Sequence, residues 1–312
     1  MTKPSILFMG TPAFALPALE MLHKNAYPII AVVTQPDRPA GRGQKEISPP
    51  VKLLAQKLSL PVLQPEKIKD PSFLEIFHQL QPEMVVVAAY GQILPKGIVD
   101  FPPLGCLNIH PSLLPAYRGA APINWAIIRG EKKTGITIML MDEGMDSGDI
   151  LLQQETLIDA AESYGQLHGR LAIQGAALLI AAIDQVSAGR GLRKPQDPSA
   201  VIFAPRLKKE TGRICWASAS HEIVNLIRGL CPEPAAFTSL AGQTLKIFAA
   251  VAEKGTVKDP PGTIGAKTDR GLAVAAADGH VLLQEIQIAG KKRMPVDDFL
   301  RGHRFNPRTI LI

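Results

Sequence analysis

The chain reads as an α/β protein, a mostly parallel sheet domain followed by a small β-barrel domain, and three observations lead there. Short apolar runs without polar alternation at 5–9, 29–34 and 84–89 alternate with segments of helical spacing, as strands buried on both faces do. A stretch rich in Gly, Pro and basic residues from 189 to 205 lacks any period and marks a linker. Beyond it, β-like runs at 244–248, 271–275 and 280–288 are separated by Gly, Asp and Pro, the rhythm of a small barrel or sandwich. A first domain over 1–189, a linker over 190–208 and a second domain over 209–312 are therefore expected.

Taken in order, residues 5–9 are a strand that ends at Gly10, and apolar spacing from 14 to 23 predicts a helix. The strand at 29–34 leads into a Pro-, Gly- and charge-rich insertion at 35–50, then helical segments at 51–58 and near 73–80 flank a short run at 61–63. The strand at 84–89 is followed by one at 105–110, a helix near 121–129, a strand at 135–141 and one long Ala- and Leu-rich helix over 163–188. A helix near 221–230 opens the second domain.

Size and composition narrow the class. At 312 residues the chain exceeds what one core usually serves. Its hydrophobic share of 46% and charged share of 20% are those of a globular protein with a packed interior, which excludes bulk disorder. The N-terminus lacks the apolar length of a signal peptide, and no run reaches bilayer-spanning length, with 171–183 nearest; a cytoplasmic protein without membrane attachment is expected. Cys106, Cys215 and Cys231 are odd in number and widely spaced, which argues against a disulfide framework and against a zinc site. They read as ordinary buried thiols, with a nucleophilic role for Cys106 near His110 left open. The net charge of +6 points to an anionic partner and leans toward the C-terminus: from Lys209 onward 14 Lys and Arg face 10 Asp and Glu.

Gly10-Thr11-Pro12 follows the first strand, but a dinucleotide fingerprint needs further glycines and no P-loop is present, so Gly10 reads as a tight turn. The richest chemistry lies in NIHPSLLP at 108–115. Asn108 and His110 stand two apart on a strand, so they project to one side at its C-terminal edge, where open α/β sheets bind ligands. A carboxamide donor and an imidazole can together hold and polarise an acyl oxygen. The alternative, a loop-bonding Asn and a hydrogen-bonded core His, is the commoner fate of an isolated Asn-x-His. A carboxylate partner is available in DEGMDSGD at 142–149, where it favours imidazolium over an unperturbed pKa of about 6.5. Spacing alone does not choose Asp146 over Asp142 or Asp149.

These segments carry a resemblance. NIHPSLLP, RGAAPI at 118–123 and GITIMLMDEGMDSGDIL at 135–151 together resemble the folate-dependent formyltransferases, and FMGTPAFALPAL at the start and TQPDRPAGRGQK at 34–45 resemble the branch that formylates methionyl-tRNA. GTI at 262–264 and AGKKRM at 289–294 extend the similarity over nearly the whole chain. The resemblance implies a Rossmann-like domain that takes 10-formyltetrahydrofolate as co-substrate, needs no metal, and is followed by an OB-like domain that helps hold initiator methionyl-tRNA. It implies a catalytic trio at Asn108, His110 and Asp146, a folate loop at Ser112, Leu113, Leu114 and Pro115, and tRNA contacts at Arg42 foremost, with Arg38, Lys45, Arg206, Lys208, Lys291, Lys292 and Arg293. A monomer is expected. Arg206 stands where relatives often carry Lys, and Cys215 precedes Trp216 where an acidic or amide residue is usual. The competing readings are formyl transfer to a glycinamide nucleotide or an amino sugar, a folate hydrolase, and a nucleic-acid-binding protein that has lost catalysis.

Overall fold

A computed structural model describes residues 3–40, 45–303 and 309–312. In chain order its elements are β1 (Ile6–Gly10), α1 (Leu16–Lys24), β2 (Ile29–Val33), β3 (Arg38–Ala40), β4 (Lys45–Ile47), α2 (Pro50–Lys57), β5 (Val62–Leu63), α3 (Pro71–Leu80), β6 (Met84–Ala88), α4 (Lys96–Val99), β7 (Cys106–His110), β8 (Arg118–Gly119), α5 (Pro122–Ile128), β9 (Lys133–Leu140), β10 (Ile150–Leu157), α6 (Tyr164–Ser187) and β11 (Phe203–Ala204), then α7 (Ser220–Leu230), β12 (Ala236–Leu240), β13 (Gln243–Lys254), β14 (Ile264–Thr268), β15 (Gly271–Ala276), β16 (Gly279–Ile288), β17 (Met294–Pro295) and α8 (Val296–Gly302). Proline sits in the first turn of α1, α2, α3 and α5, where its missing N–H is not needed.

Two compact units result, and they do not follow a single cut in the chain. The first comprises 1–119, 134–156 and 168–204; the second takes 120–133 and 157–167 together with 205–312. The first is built on a sheet of order β10-β9-β7-β6-β1-β2-β5. Its central strands β1 and β6 are buried at every position, which is why their sequences show no alternation. β1 pairs in parallel with β2 and β6, and β7 in parallel with β6, but β9 runs antiparallel to β7, with Asn108 opposite Met139 and His110 opposite Thr137. The reversal has a local cause: α5, which follows β7, is packed into the second unit and does not serve as a crossover that would return β9 in the parallel sense.

The strand order reverses at β1, whose C-terminal end carries Gly10. A Cβ there would lie 2.8 Å from that of Ala15 and 3.1 Å from the Ala88 carbonyl oxygen, so the single glycine serves close packing of the following turn and of β6. α6 has the length and apolar composition of a membrane span, contrary to the expectation that no segment would. Its burial is one-sided, however: Leu171, Ala172, Ala176, Leu179, Ala182 and Ile183 are buried, and Gly175 brings the helix onto Ile109 of β7 and Ile136 of β9. The aperiodic stretch after α6 is also ordered. Lys194 bridges Ile150, and β11 lies parallel to β8 with Phe203 opposite Arg118, so main-chain bonds rather than an apolar face hold it.

In the second unit the sheet order is β12-β13-β16-β15-β14, with β17 on β16. The chain end joins the two outer strands: Ile312 exchanges backbone bonds with Ser239 of β12 (2.7 and 3.0 Å), while Ile264 of β14 donates to Thr309 (2.9 Å) and Leu311 donates to Gly262 (2.9 Å). That closes the sheet into a ring around Val274, Val281, Leu283 and Ile286. α7 lays Ile223, Ile227 and Leu230 on this core. Gly229 lets α7 meet α5, since a Cβ would fall 2.6 Å from Ile128, and Asn124 donates to the Gly229 carbonyl at 2.8 Å.

Because Gly175 sits over the residue that precedes His110, Gly175→Val places added carbons 2.7 Å or less from a buried Ile109 methyl. We expect a loss of about 1–3 kcal/mol, read as a lower urea midpoint at constant m-value; an unchanged midpoint would show that the helix is not seated on β7.

Candidate active site

The side chains of β7 decide the site. Asn108 and His110 share one face of the strand, Asn108 half-buried and His110 only 4% exposed. His110 Nε2 lies 3.0 Å from the Tyr117 carbonyl oxygen. A carbonyl only accepts, so Nε2 carries a proton, and Nδ1 is the nitrogen left for chemistry. Nδ1 lies 3.6 Å from Asp146 Oδ1, and the Asn108 Nδ2 amide approaches the same oxygen at 3.5 Å. The other oxygen, Asp146 Oδ2, accepts the Gly119 N–H at 2.8 Å. Three polar groups from two strand ends thus meet at one carboxylate.

The acidic loop sorts its carboxylates by geometry. Asp142 turns back on the loop itself, taking Ser147 Oγ at 2.8 Å and the Gly144 amide at 3.0 Å, and Glu143 pairs with Lys96. Asp149 serves through its main chain, whose carbonyl accepts from Leu140. Asp146 alone of these comes up to Asn108 and His110, and its backbone is left-handed at a φ of 50°. Gly148 makes the tight return possible: a Cβ there would lie 1.8 Å from the Leu140 oxygen.

The loop at 112–115 is held from within. Thr137 Oγ1 donates to the Ser112 carbonyl at 2.7 Å and accepts from the Leu114 amide at 3.1 Å, and Gln153 Nε2 bonds both Thr137 Oγ1 and the Leu114 carbonyl. Ser112 Oγ donates to the Ala116 carbonyl at 2.6 Å, and Leu114 is buried against Met139 and Ile150. Ser112 and Leu114 therefore face inward, while Leu113 and Pro115 are half-buried. Thr137 and Gln153 carry no sequence signal of their own. Only the antiparallel register, which sets Thr137 opposite His110, brings them here.

Cys106 shares the face of β7 with Asn108 and His110 but sits at the start of the strand, buried, with its Sγ 3.4 Å from the Ile98 carbonyl oxygen. Burial, aided by the charge of Asp100, pushes the thiol up to about 12, which disfavours the thiolate a nucleophile needs.

The basic residues fall in three places. Arg38 is exposed in β3, and the hairpin it shares with β4 is tied down next door by Asp37, which accepts from Lys52, Gln64 and Ser48. The Lys52 and Gln64 hydrogen bonds hold the Asp37 carboxyl below the usual carboxylate range. Lys45 opens β4. Arg42 lies outside the described residues. Arg206 and Lys208 are exposed ahead of α7, and Lys291 and Lys292 are exposed in the turn between β16 and β17. Arg293 is engaged already, 2.5 Å from Glu285 and 4.3 Å above the Phe248 ring. Among the described residues no three His, Cys, Asp or Glu side chains converge as metal ligands would.

Two outcomes follow from this geometry. Thr137→Val keeps shape but leaves the Leu114 amide and Ser112 carbonyl unpaired, so chemical denaturation is expected to show a loss of about 1–3 kcal/mol; a neutral result would mean water replaces the hydroxyl. Cys106 and Cys231 are buried as expected, but Cys215 is exposed, so on brief alkylation at pH 8 mass spectrometry should find Cys215 modified and Cys106 intact.

Comparison with known proteins agrees with the geometry. Residues 3–183 match the family model described as formyl transferase, and residues 206–304 match the formyl transferase C-terminal domain. The methionyl-tRNA formyltransferase of Syntrophus aciditrophicus is 57% identical over 311 residues, covering 100% of both chains. Among solved structures, HypX from Aquifex aeolicus in complex with tetrahydrofolic acid aligns with a TM-score of 0.66 at 16% identity over 98% of this chain and 49% of its own. The N-formyltransferase from Helicobacter canadensis in complex with folinic acid and dTDP-3-aminofucose aligns with a TM-score of 0.65 at 18% identity over 91% of this chain and 98% of its own. Sequence identity over the full length, joined to a shared two-domain fold, places this chain in the methionyl-tRNA formyltransferase family.

Proposed function

We propose that the protein transfers the formyl group of 10-formyltetrahydrofolate to the free α-amine of initiator methionyl-tRNA, the step that prepares it for translation initiation. The observation that carries this reading is the meeting of Asn108 Nδ2 and His110 Nδ1 at one oxygen of Asp146. The family membership supplies the substrates, and folate-related ligands in two structures of the same fold support the donor.

The proposed chemistry is an acyl transfer. The neutral amine attacks the formyl carbon, a new C–N bond forms, and negative charge gathers on the formyl oxygen. Asn108 donates to that oxygen through Nδ2 and His110 through Nδ1, in a half-buried site where fixed donors act strongly. Asp146 holds the imidazole and balances its charge. As the oxyanion collapses, the bond from carbon to the folate nitrogen breaks, and the amine's proton passes to that nitrogen through a water. No step calls for a metal.

The 112–115 loop is assigned to the folate, with Leu113 and Pro115 offering surface and with Ser112 and Leu114 shaping the backbone from inside. For the tRNA, Arg38, Arg42, Lys45, Arg206, Lys208, Lys291 and Lys292 are assigned to phosphates, and Arg293 offers what its guanidinium has left beside Glu285. The chain is assigned a catalytic domain at 1–189, a linker at 190–208 and a tRNA-holding, OB-like domain at 209–312, and it works as a cytoplasmic monomer.

A formyl-transfer assay with methionyl-tRNA beside a glycinamide nucleotide and an amino sugar tests the reading. Turnover is expected with methionyl-tRNA alone. Asn108→Ala and His110→Ala should each lower kcat about 100- to 1000-fold, and Arg42→Ala should weaken tRNA use and flatten its salt dependence by about one phosphate contact. Preference for either small amine, or formate release without an acceptor, would replace this assignment.

A further inference from the structure

The Asp146 loop needs an external hold. Its backbone is left-handed at Asp146, and the carbonyls of Asp146 and Gly148 both find a donor outside the loop. Both are taken by one side chain. Gln196 Nε2 donates to the Asp146 oxygen at 2.9 Å and to the Gly148 oxygen at 2.8 Å. Its Oε1 accepts from Arg118 Nε at 3.0 Å and from the Arg118 Nη2 at 2.8 Å. The amide thus uses two donors and two acceptor positions, its full capacity, and neither end can be exchanged: carbonyls only accept and guanidinium only donates. Arg118 in turn precedes Gly119, whose N–H holds Asp146 Oδ2.

Gln196 also stands apart from its neighbours. Residues 192–195 and 197–200 are all exposed, and Gln196 alone in that run turns inward. The run has no apolar period, so burial does not account for the turn. Its flanks are fixed by the Lys194 bridge to Ile150 and by the Asp197 side chain, which accepts from Ser199.

Resting on the catalytic assignment made above, we infer that Gln196, oriented by Arg118, is a positioning residue that sets Asp146 against His110 and Asn108 during formyl transfer. The side chain touches neither substrate nor the reacting atoms. It acts by fixing the carbonyls on either side of Ser147, and so the direction in which the Asp146 carboxylate points.

Gln196→Glu tests this. The variant keeps volume and gives Arg118 a carboxylate, but it presents an acceptor to two carbonyl oxygens and pushes the loop away. Expected are faster hydrogen exchange over 142–149, a kcat reduced at least ~10-fold toward the roughly 100-fold that a 1 Å misplacement costs, and little change in KM for the folate or in the urea midpoint. In an Asp146→Asn background the same substitution should add almost nothing, because a residue that acts through Asp146 is not additive with it. Unchanged exchange, unchanged kcat, or an equal loss in both backgrounds overturns the inference. Faster exchange with full turnover in His110→Ala and Asp146→Asn would instead remove the catalytic trio while the loop clamp stands.

Discussion

One carboxylate, that of Asp146, draws together the side chains to which catalysis is assigned above. Asp146 Oδ1 is approached by an amide and an imidazole at 3.5 and 3.6 Å, distances long for hydrogen bonds, while Oδ2 is held firmly by the Gly119 amide at 2.8 Å. The asymmetry is informative. The firm bond fixes the carboxylate, and on the catalytic roles proposed above the loose side lets Asn108 and His110 turn their donors toward the formyl oxygen without first breaking a strong contact. A tighter triad would hold its donors against release, and a looser one would lose the charge that keeps the imidazole oriented.

Much of this was legible in the sequence, for reasons that can be named. The strand two-residue period put Asn108 and His110 on one face, and the uninterrupted apolar runs at β1, β2 and β6 marked a sheet covered on both sides. What the sequence withheld was direction and long-range bonding. β10, with its polar centre QQE, shows neither alternation nor a continuous apolar run, and it went unread. The antiparallel sense of β9 depends on where α5 packs, and nothing in PINWAII says which unit takes it. The stretch from 189 to 205 looked like a linker because its order comes from backbone bonds and from Gln196, neither of which leaves a hydrophobic period. Spacing left Asp146 level with Asp142 and Asp149, and only the resemblance singled it out; in the structure Asp142 spends its carboxylate on Ser147, while Asp146, itself left-handed, faces Asn108 and His110.

The second unit owes its closure to a different device. Five strands in an open ladder leave two unpaired edges, which are points for unwanted association. Residues 309–312 fill that gap by bonding Ser239 on one side and Gly262 and Ile264 on the other, so the last residues of the chain act as a shared edge. Trp216 reinforces the seam, donating at 3.1 Å to Thr238 Oγ1, which in turn donates to the Ile312 carbonyl at 3.0 Å. The ring is thus closed by contacts between residues 45 to 74 positions apart; a small barrel was expected from the runs of β13, β15 and β16, whereas β12, β14 and the pairing of 309–312 left no local signal.

Charge on this unit divides into residues with work to do in the fold and residues without it. Arg293 stacks on Phe248 and pairs with Glu285, and Arg228 donates to the Asp159 and Glu162 carbonyls, so their guanidinium groups are committed before any ligand arrives. Lys291, Lys292, Arg206 and Lys208 are exposed and gain far less from the fold. A solvated ammonium releases little on meeting a phosphate except counterions, and that release is the main driving force for binding a polyanion. A committed guanidinium must first surrender part of an existing contact. On the tRNA contacts proposed above, the exposed lysines and Arg206 are the ones to carry the salt-dependent part of the affinity, while Arg293 shapes the turn that presents Lys291 and Lys292.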